Sequence, residues 1–456
     1  MSRIGRKKCI KIVISTIFQD AGDATRAIEI AGGLARYAPP NIDYRIIFFS
    51  HGSRFEQNVL DRGFEIYHVA PLVEGIGERH DYKMTPNNFI GDRHLAKELI
   101  EGEIVAYNDV QPDVVLFGFW PMAGLAYRMM PWQIVGICYL PLPLTNEYLD
   151  YIPDIPEQVP VFSALPAQIR KVLLKLPLFI KRRIPPLRQP NILWAAAKVG
   201  WRGERLVNLF DFFKADLTVV NDLPDYYVRG KLPKSVVFSG PVFCRSENDE
   251  PVEPEIRNIF SVSSSRWRIF CTLGSSGTKE QLLEIVKIFT FGEGRSWSGV
   301  ILSPMAVCPI EEARRVLGES QNVYVTDKFV PAEKVNSMAD VVICHGGQGT
   351  LQTALHSGTP LVGVAAQAEQ FLNLHNVVSQ GAGIRIPMAD WSARNIQAAV
   401  HRIMADENFK HAAMRLKERM ESFDGIKTSA NVIWSKITET CVRLEEPIVK
   451  GADADC

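Results

Sequence analysis

Three groups of residues have the types and spacing to handle a phosphorylated, hydroxylated ligand. The first is His345-Gly346-Gly347-Gln348-Gly349-Thr350, which follows the apolar run Val341 to Cys344 and precedes a helical pattern. A strand that passes through glycines into a helix leaves backbone N–H groups free at the helix start, where the macrodipole adds roughly half a positive charge. The glycines let the chain approach an anion closely. His345 can donate a hydrogen bond to a pyrophosphate oxygen, and Thr350 adds a hydroxyl. The second group is Glu369-Gln370, which follows the next apolar run, Leu361 to Val364. A carboxylate beside an amide at the carboxyl edge of a parallel sheet suits sugar hydroxyls. The third is Gly22-Asp23 at the opening of the first helical pattern, with Asp20 three residues earlier. Taken alone, Asp23 reads as a helix cap, a common use of Asp.

These groups need rigid elements to hold them. Short apolar runs alternate with helical patterns along the whole chain, the signature of βα units around parallel sheets. One series comprises strands at Ile10 to Thr16, Tyr44 to Ser50, Val114 to Phe119, Ile134 to Leu140 and Leu217 to Asn221, with a first helix from about Ala24 to Tyr37. A second comprises Arg268 to Leu273, Gly299 to Ser303, Val323 to Thr326, Val341 to Cys344 and Leu361 to Val364. Between them, 243–266 clusters acid, proline and serine, the composition of a linker. The expected α/β architecture is therefore two facing Rossmann-like domains: 1–242, and 267–428 after the 243–266 linker. A helix and tail in 429–456 are expected to return to the first domain.

Composition narrows the classes. The 456 residues are 46% hydrophobic and 22% charged, ample for sizeable cores. Lys plus Arg equal Asp plus Glu at 51 each, which speaks against nucleic acid as the main partner. Eight cysteines without a CxxC pair point to reduced thiols, and no run is long enough to span a bilayer. A cytoplasmic protein is expected, with membrane association left open by one segment. From Leu165 to Arg205 there are ten Lys or Arg and one acid, interleaved with apolar clusters, read as one or two basic amphipathic helices broken at Pro185-Pro186. It is a lid over an apolar acceptor, a patch for an anionic membrane surface, or a solvated helical cap on the first domain.

The region Phe329 to Asn376 resembles the C-terminal signature of the GT-B glycosyltransferases that use nucleotide sugars, the UDP-glycosyltransferase superfamily with its macrolide, glycopeptide and sterol subgroups. Thr272-Leu273-Gly274-Ser275-Ser276-Gly277-Thr278 is similar to the family's first donor-side loop. The resemblance implies that His345, Gly347, Gly349 and Thr350 contact the donor pyrophosphate, with Gln348 and Gly22 on the donor side. It also implies that Glu369 and Gln370 hold the sugar, that Ser275 and Ser276 lie near the phosphates or acceptor, and that Val330 meets the base through its backbone. Asp23 becomes the general base for an acceptor hydroxyl, with Asp20 the rival carboxylate. The acceptor is expected against Phe119, Trp120 and Met122 after one strand and Tyr139, Leu140 and Pro141 after another, an aromatic and proline-rich wall.

Three positions depart from the family. Thr353 stands where many relatives have a ribose-binding glutamate, Gln348 where plant members have tryptophan, and Leu116 to Trp120 lacks a carboxylate to orient a histidine base. The activity implied is inverting transfer of a hexose, expected to be glucose, from a UDP-sugar to a hydroxyl of a hydrophobic phenolic, polyketide, terpenoid or sterol. No metal and no other cofactor is expected. A sugar-nucleotide epimerase or hydrolase of the same fold, and a non-catalytic binding or activator subunit, are the alternatives.

Overall fold

The structure is a computed structural model that describes residues 9–442 apart from 86, 160, 228–230, 244–250, 262–265, 275–276 and 329. Two parallel sheets organise the chain. The first holds seven strands: β1 (Ile10–Ser15), β2 (Tyr44–Ser50), β3 (Glu65–His68), β4 (Val114–Phe117), β5 (Val135–Leu140), β6 (Leu217–Val220) and β7 (Val236–Phe238), in the order β3-β2-β1-β4-β5-β6-β7. The second holds β8 (Arg268–Thr272), β9 (Ser298–Leu302), β10 (Val323–Thr326), β11 (Val341–Cys344), β12 (Leu361–Gly363) and β13 (Gly383–Arg385), in the order β10-β9-β8-β11-β12-β13. Central strands such as β4, β5 and β11 are buried along their whole length, so both faces are apolar and the run is continuous.

In each sheet the chain starts in the middle, winds outward one way, then returns and winds the other. The reversal falls between β1 and β4, paired through Ile12↔Val114 and Ser15↔Phe117, and between β8 and β11, paired through Thr272↔Cys344. At such a point the loops leaving the two strands diverge and open a crevice at their carboxyl ends. The loop after β1 ends at Asp20 and leads Asp23 into the first turn of the next helix, and the loop after β4 carries Phe119; those after β8 and β11 carry Gly274 and His345.

Five helices position the cleft and its surroundings: α1 (Ala21–Arg36), α2 (Ala167–Leu174), α3 (Gln348–His356), α4 (Ala368–Ser379) and α5 (Gly425–Ile437). α5 lies against α1, as expected of the C-terminal helix. A Cβ on Gly33 would come 2.7 Å from Ile426 Cγ2, and the Trp434 indole donates to the Leu34 carbonyl at 3.0 Å. Ala430, Ile433, Trp434 and Ile437 are buried in the layer that covers β1.

Two regions differ from expectation. The basic segment forms four short helices, α2, Leu178–Lys181, Pro185–Arg188 and Pro190–Lys198. Pro166 and Pro177 occupy the N-cap of the first two, and Pro185 and Pro190 open the others, so each helix is restarted by a residue that cannot continue one. Within 243–266, Pro254–Ser261 is a helix rather than open linker, because Ile256 and Phe260 at i,i+4 spacing bury one face.

Replacing Trp434 with Ala removes a buried ring and its hydrogen bond. Urea denaturation should show a loss of about 3–5 kcal/mol. A loss below about 1 kcal/mol would mean that α5 contributes little to the first domain.

Candidate active site

His345 leaves the end of β11 and its ring is wedged between two glycine turns. A Cβ on Gly274, whose φ is +56°, would lie 2.6 Å from His345 Cε1, and one on Gly347 would lie 2.4 Å from His345 Nε2. Gly346, at φ +84°, is pressed against the Gln370 carbonyl, where a Cβ would stand at 2.8 Å. Gly349 has nothing within 4 Å of its Cβ position, so the chain leaves open space at the start of α3. Gly347, Gly349 and Thr350 are partly exposed toward it, whereas His345 and Gln348 are buried. Burial pushes the His345 pKa down to about 4. The imidazole is therefore neutral near pH 7 and presents one N–H donor, the form that bonds an anion without carrying charge of its own. Val330 is buried, and Ser275 and Ser276 lie outside the described residues.

Facing this turn is the N-terminus of α1. Asp20 is its N-cap, with Oδ1 accepting from Gly22 N at 3.0 Å. Capping is thus taken by Asp20, and Asp23, in the first turn, points elsewhere. Its carboxylate is buried, accepts from the Phe119 backbone N–H and forms an ion pair with Arg26. Arg26 is itself buried, and its Nη2 donates at 2.8 Å to Gln348 Oε1, the first residue of α3. The Gln348 amide is fully used: Nε2 donates to the carbonyls of Pro141 at 2.9 Å and Asn221 at 3.2 Å. Gln348 therefore turns away from the anion turn and ties α3 to the first domain, a correction to its expected place among donor ligands. An amide at the start of a helix can reach either way; the buried guanidinium decides which.

The burial of Asp23 raises its pKa to about 6, while Arg26 pulls the other way. Across the cleft Glu369 is pushed up to about 7, chiefly by burial, with Asp20 and Asp23 adding to the rise; its carboxylate accepts from Asn373. Gln370, by contrast, is buried and its Oε1 accepts from Ala366 N at 2.8 Å and Gln367 N at 3.1 Å. It closes the N-terminus of α4 as a capping box with Gln367, so of the expected sugar-holding pair Glu369 alone faces the cleft.

Asp222, which belongs to no motif of the sequence, completes the set. It follows β6, accepts from Tyr227 Oη at 2.7 Å and Leu223 N at 2.8 Å, and burial raises its pKa to about 7. Its place at a strand's carboxyl end is the signal that could have found it. For Arg26 the signal is the i,i+3 spacing from Asp23 on one helix face.

The expected acceptor wall is mostly core. Trp120 is buried with its indole donating to Glu103 at 2.7 Å, and Met122, Tyr139 and Leu140 have no exposed surface. Their strand-end positions point them into the layer between sheet and helices. Phe119 keeps a partly exposed side chain beside Asp23, and Pro141 supplies its carbonyl to Gln348. Thr353 is buried and donates to the Thr350 carbonyl at 3.1 Å within its own helix. His375 lies on the far half of α4, lining a cavity of about 120 Å³ with Tyr148, Tyr151, Tyr226 and Tyr227.

Comparison with known proteins fits this arrangement. Residues 310–425 match the family model "Erythromycin biosynthesis protein CIII-like, C-terminal domain". The PGL/p-HBAD biosynthesis rhamnosyltransferase of Mycobacterium bovis is 24% identical over 354 residues, 75% of this chain and 71% of that protein. The chain has the GT-B fold and is similar in sequence to glycosyltransferases. UDP-glycosyltransferase 2 of Phaeomoniella chlamydospora is 34% identical over 113 residues, 25% of this chain and 24% of its own. Among solved structures, the glycosyltransferase of kitacinnamycin superposes with a TM-score of 0.63 at 20% identity, covering 94% of this chain and 99% of that one. VinC, solved with dTDP, gives 0.62 at 14% identity over 94% and 100%. The crevice between the two sheets lies between Asp23 and the His345 to Thr350 turn.

Arg26→Gln removes the charge that holds Asp23 ionised. The acid limb of the pH profile of kcat/KM should move to higher pH, because a lone buried carboxyl is harder to ionise. Glu369→Gln, which takes out a second carboxyl titrating in the cleft, serves as control. An unmoved limb in Arg26→Gln would show that the Asp23–Arg26 pair does not set the profile.

Proposed function

We propose that this chain transfers a hexose, with inversion, from a nucleoside diphosphate sugar to a hydroxyl of a hydrophobic small molecule. The observation that carries the reading is the convergence, across one cleft, of a buried carboxylate whose pKa is about 6 and a glycine-lined helix start beside a neutral histidine. Asp23 accepts the proton of the acceptor hydroxyl as that oxygen bonds to the anomeric carbon. The bond from that carbon to the diphosphate oxygen breaks in the same displacement, on the opposite face, so the configuration inverts. The departing diphosphate gathers negative charge where the N–H groups of Gly349 and Thr350, the α3 dipole and the His345 N–H can meet it.

Arg26 is the cation that keeps Asp23 ionised before the reaction; after proton transfer it remains held by Gln348. Glu369 accepts hydrogen bonds from sugar hydroxyls. Phe119 forms part of the acceptor surface beside the base. Helix dipole and backbone donors offset the diphosphate charge, so no resident metal takes part.

The donor is UDP-glucose by the family resemblance. Two observations bring in a second candidate: Thr353 spends its hydroxyl on its own helix, and relatives are named rhamnosyltransferases or were solved with dTDP. A screen of UDP-glucose and dTDP-rhamnose against phenolic, polyketide and sterol acceptors, read by mass spectrometry, separates them. With the best pair, Asp23→Asn should lower kcat by about 10²–10⁴-fold while leaving nucleotide binding by calorimetry intact. Asn is the better probe than Ala, since Ala would leave Arg26 buried with one partner fewer, at a cost of about 3–5 kcal/mol. Near-normal turnover in Asp23→Asn would remove Asp23 as the base. EDTA treatment should leave turnover unchanged; loss restored by Mg²⁺ would overturn the metal-free mechanism.

A further inference from the structure

Twelve large apolar side chains are exposed among the described residues, and five of them, Val161, Ile169, Val172, Phe179 and Ile180, fall within twenty residues, at 41–74% exposure. α2, in the middle of this stretch, has no buried residue although four of its eight positions are Ile, Val or Leu. A helix this short does not persist in water on its own propensity, so it is held from outside. Leu178 packs against the core, and the other holding contacts are polar. Arg170 forms a two-pronged pair with Asp154 at 2.8 Å, Lys181 is buried against Asp150 and the Leu149 carbonyl, and Arg182 reaches Asp211 at 3.0 Å. The cations that face the domain thus anchor the segment, and these five apolar side chains are left outside.

The remaining cations stand among them. Lys171, Lys175 and Arg183 are exposed, and between Leu165 and Arg205 the only acid is Glu204. Glu204 is already paired with Lys214. A surface with apolar side chains at its centre, cations interleaved and no compensating acid matches an anionic lipid surface in both respects, the headgroups meeting the charges and the acyl boundary taking the apolar groups. We propose that the 161–183 face docks this chain onto anionic bilayers.

Its position adds a consequence. The chain entering the segment is tied to the second domain beside the cleft: Gln158 Nε2 donates to the Ala365 carbonyl at 2.9 Å, and Glu157 pairs with Arg385 and accepts from Met388 N at 2.8 Å. Ala365 is four residues from Glu369. A bilayer on this face lies near the cleft mouth, where an acceptor could keep its apolar body in lipid while its hydroxyl reaches Asp23. That consequence rests on the proposed transfer reaction; the docking does not.

The test is co-sedimentation of the full chain with vesicles of phosphatidylcholine alone or with about a third phosphatidylglycerol, without donor or acceptor. Binding is expected to the anionic vesicles and to fall with added salt. Lys171→Gln with Lys175→Gln should weaken it roughly ten- to thirtyfold. Val172→Ser with Phe179→Ser and Ile180→Ser should weaken it at least as much, with the melting temperature unchanged because these side chains are exposed. Equal binding to neutral vesicles, or anionic binding indifferent to both variants, would overturn the proposal. So would absence of vesicle binding, including the case where the serine variant instead abolishes self-association in sedimentation velocity, which would assign the face to a second copy of the chain.

Discussion

The site depends on a guanidinium out of water. Arg26 is buried between two domains, and a charge so placed is stable only if its donors are taken up by well-placed acceptors. Asp23, one turn earlier on the same helix, supplies the opposite charge, and Gln348, at the head of a helix in the other domain, supplies a neutral acceptor. This fixes two things at once. Asp23 is held in one orientation as an ionisable carboxylate, and α3 is held against the first domain through the Gln348 amide. Asp23 and the glycine turn that opens α3 are thereby positioned by the same contact.

Around that contact the cleft is acidic. Asp20, Asp23, Asp222 and Glu369 all act electrostatically on or near a single cation, and burial raises the pKa of the last three to between about 6 and 7. Carboxyls whose folded pKa is raised favour the folded state when protonated, and that contribution is lost as pH rises through the folded value. The cleft therefore becomes more strained by like charge above neutral pH. The backbone N–H groups at the start of α3 and a neutral His345 add no further acid to this cleft and need no counter-ion of their own.

The glycines of the turn have separate physical reasons. Gly274 and Gly347 are small because His345 fills the space beside them, and Gly346 because its φ is positive and α4 is close. Gly349 has no such neighbour. Three glycines thus shape the protein against itself, and the fourth leaves room at the helix start.

Much of this was legible in the chain. Continuous apolar runs marked ten strands, most of them buried, since a strand covered on both faces has no polar side to break the run. β3, β7 and β13 escaped because each is a short edge strand with at most one buried position, whereas β10, also at an edge, keeps three buried positions and with them an apolar run. The strand–turn–helix shape of His345 to Thr350 could be read because it is carried by backbone and spacing. Side-chain direction could not. Gln348 and Gln370 have the right chemistry for a sugar or phosphate and sit at the right places, yet one is drawn to Arg26 and the other to its own helix end. Trp120 and Tyr139 likewise follow the right strands and point into the core. Sequence determines which residues reach the carboxyl ends of the sheets, because that follows from local periodicity; which of them face the cleft is decided by long-range partners, whose burial energies exist only once both domains are folded together.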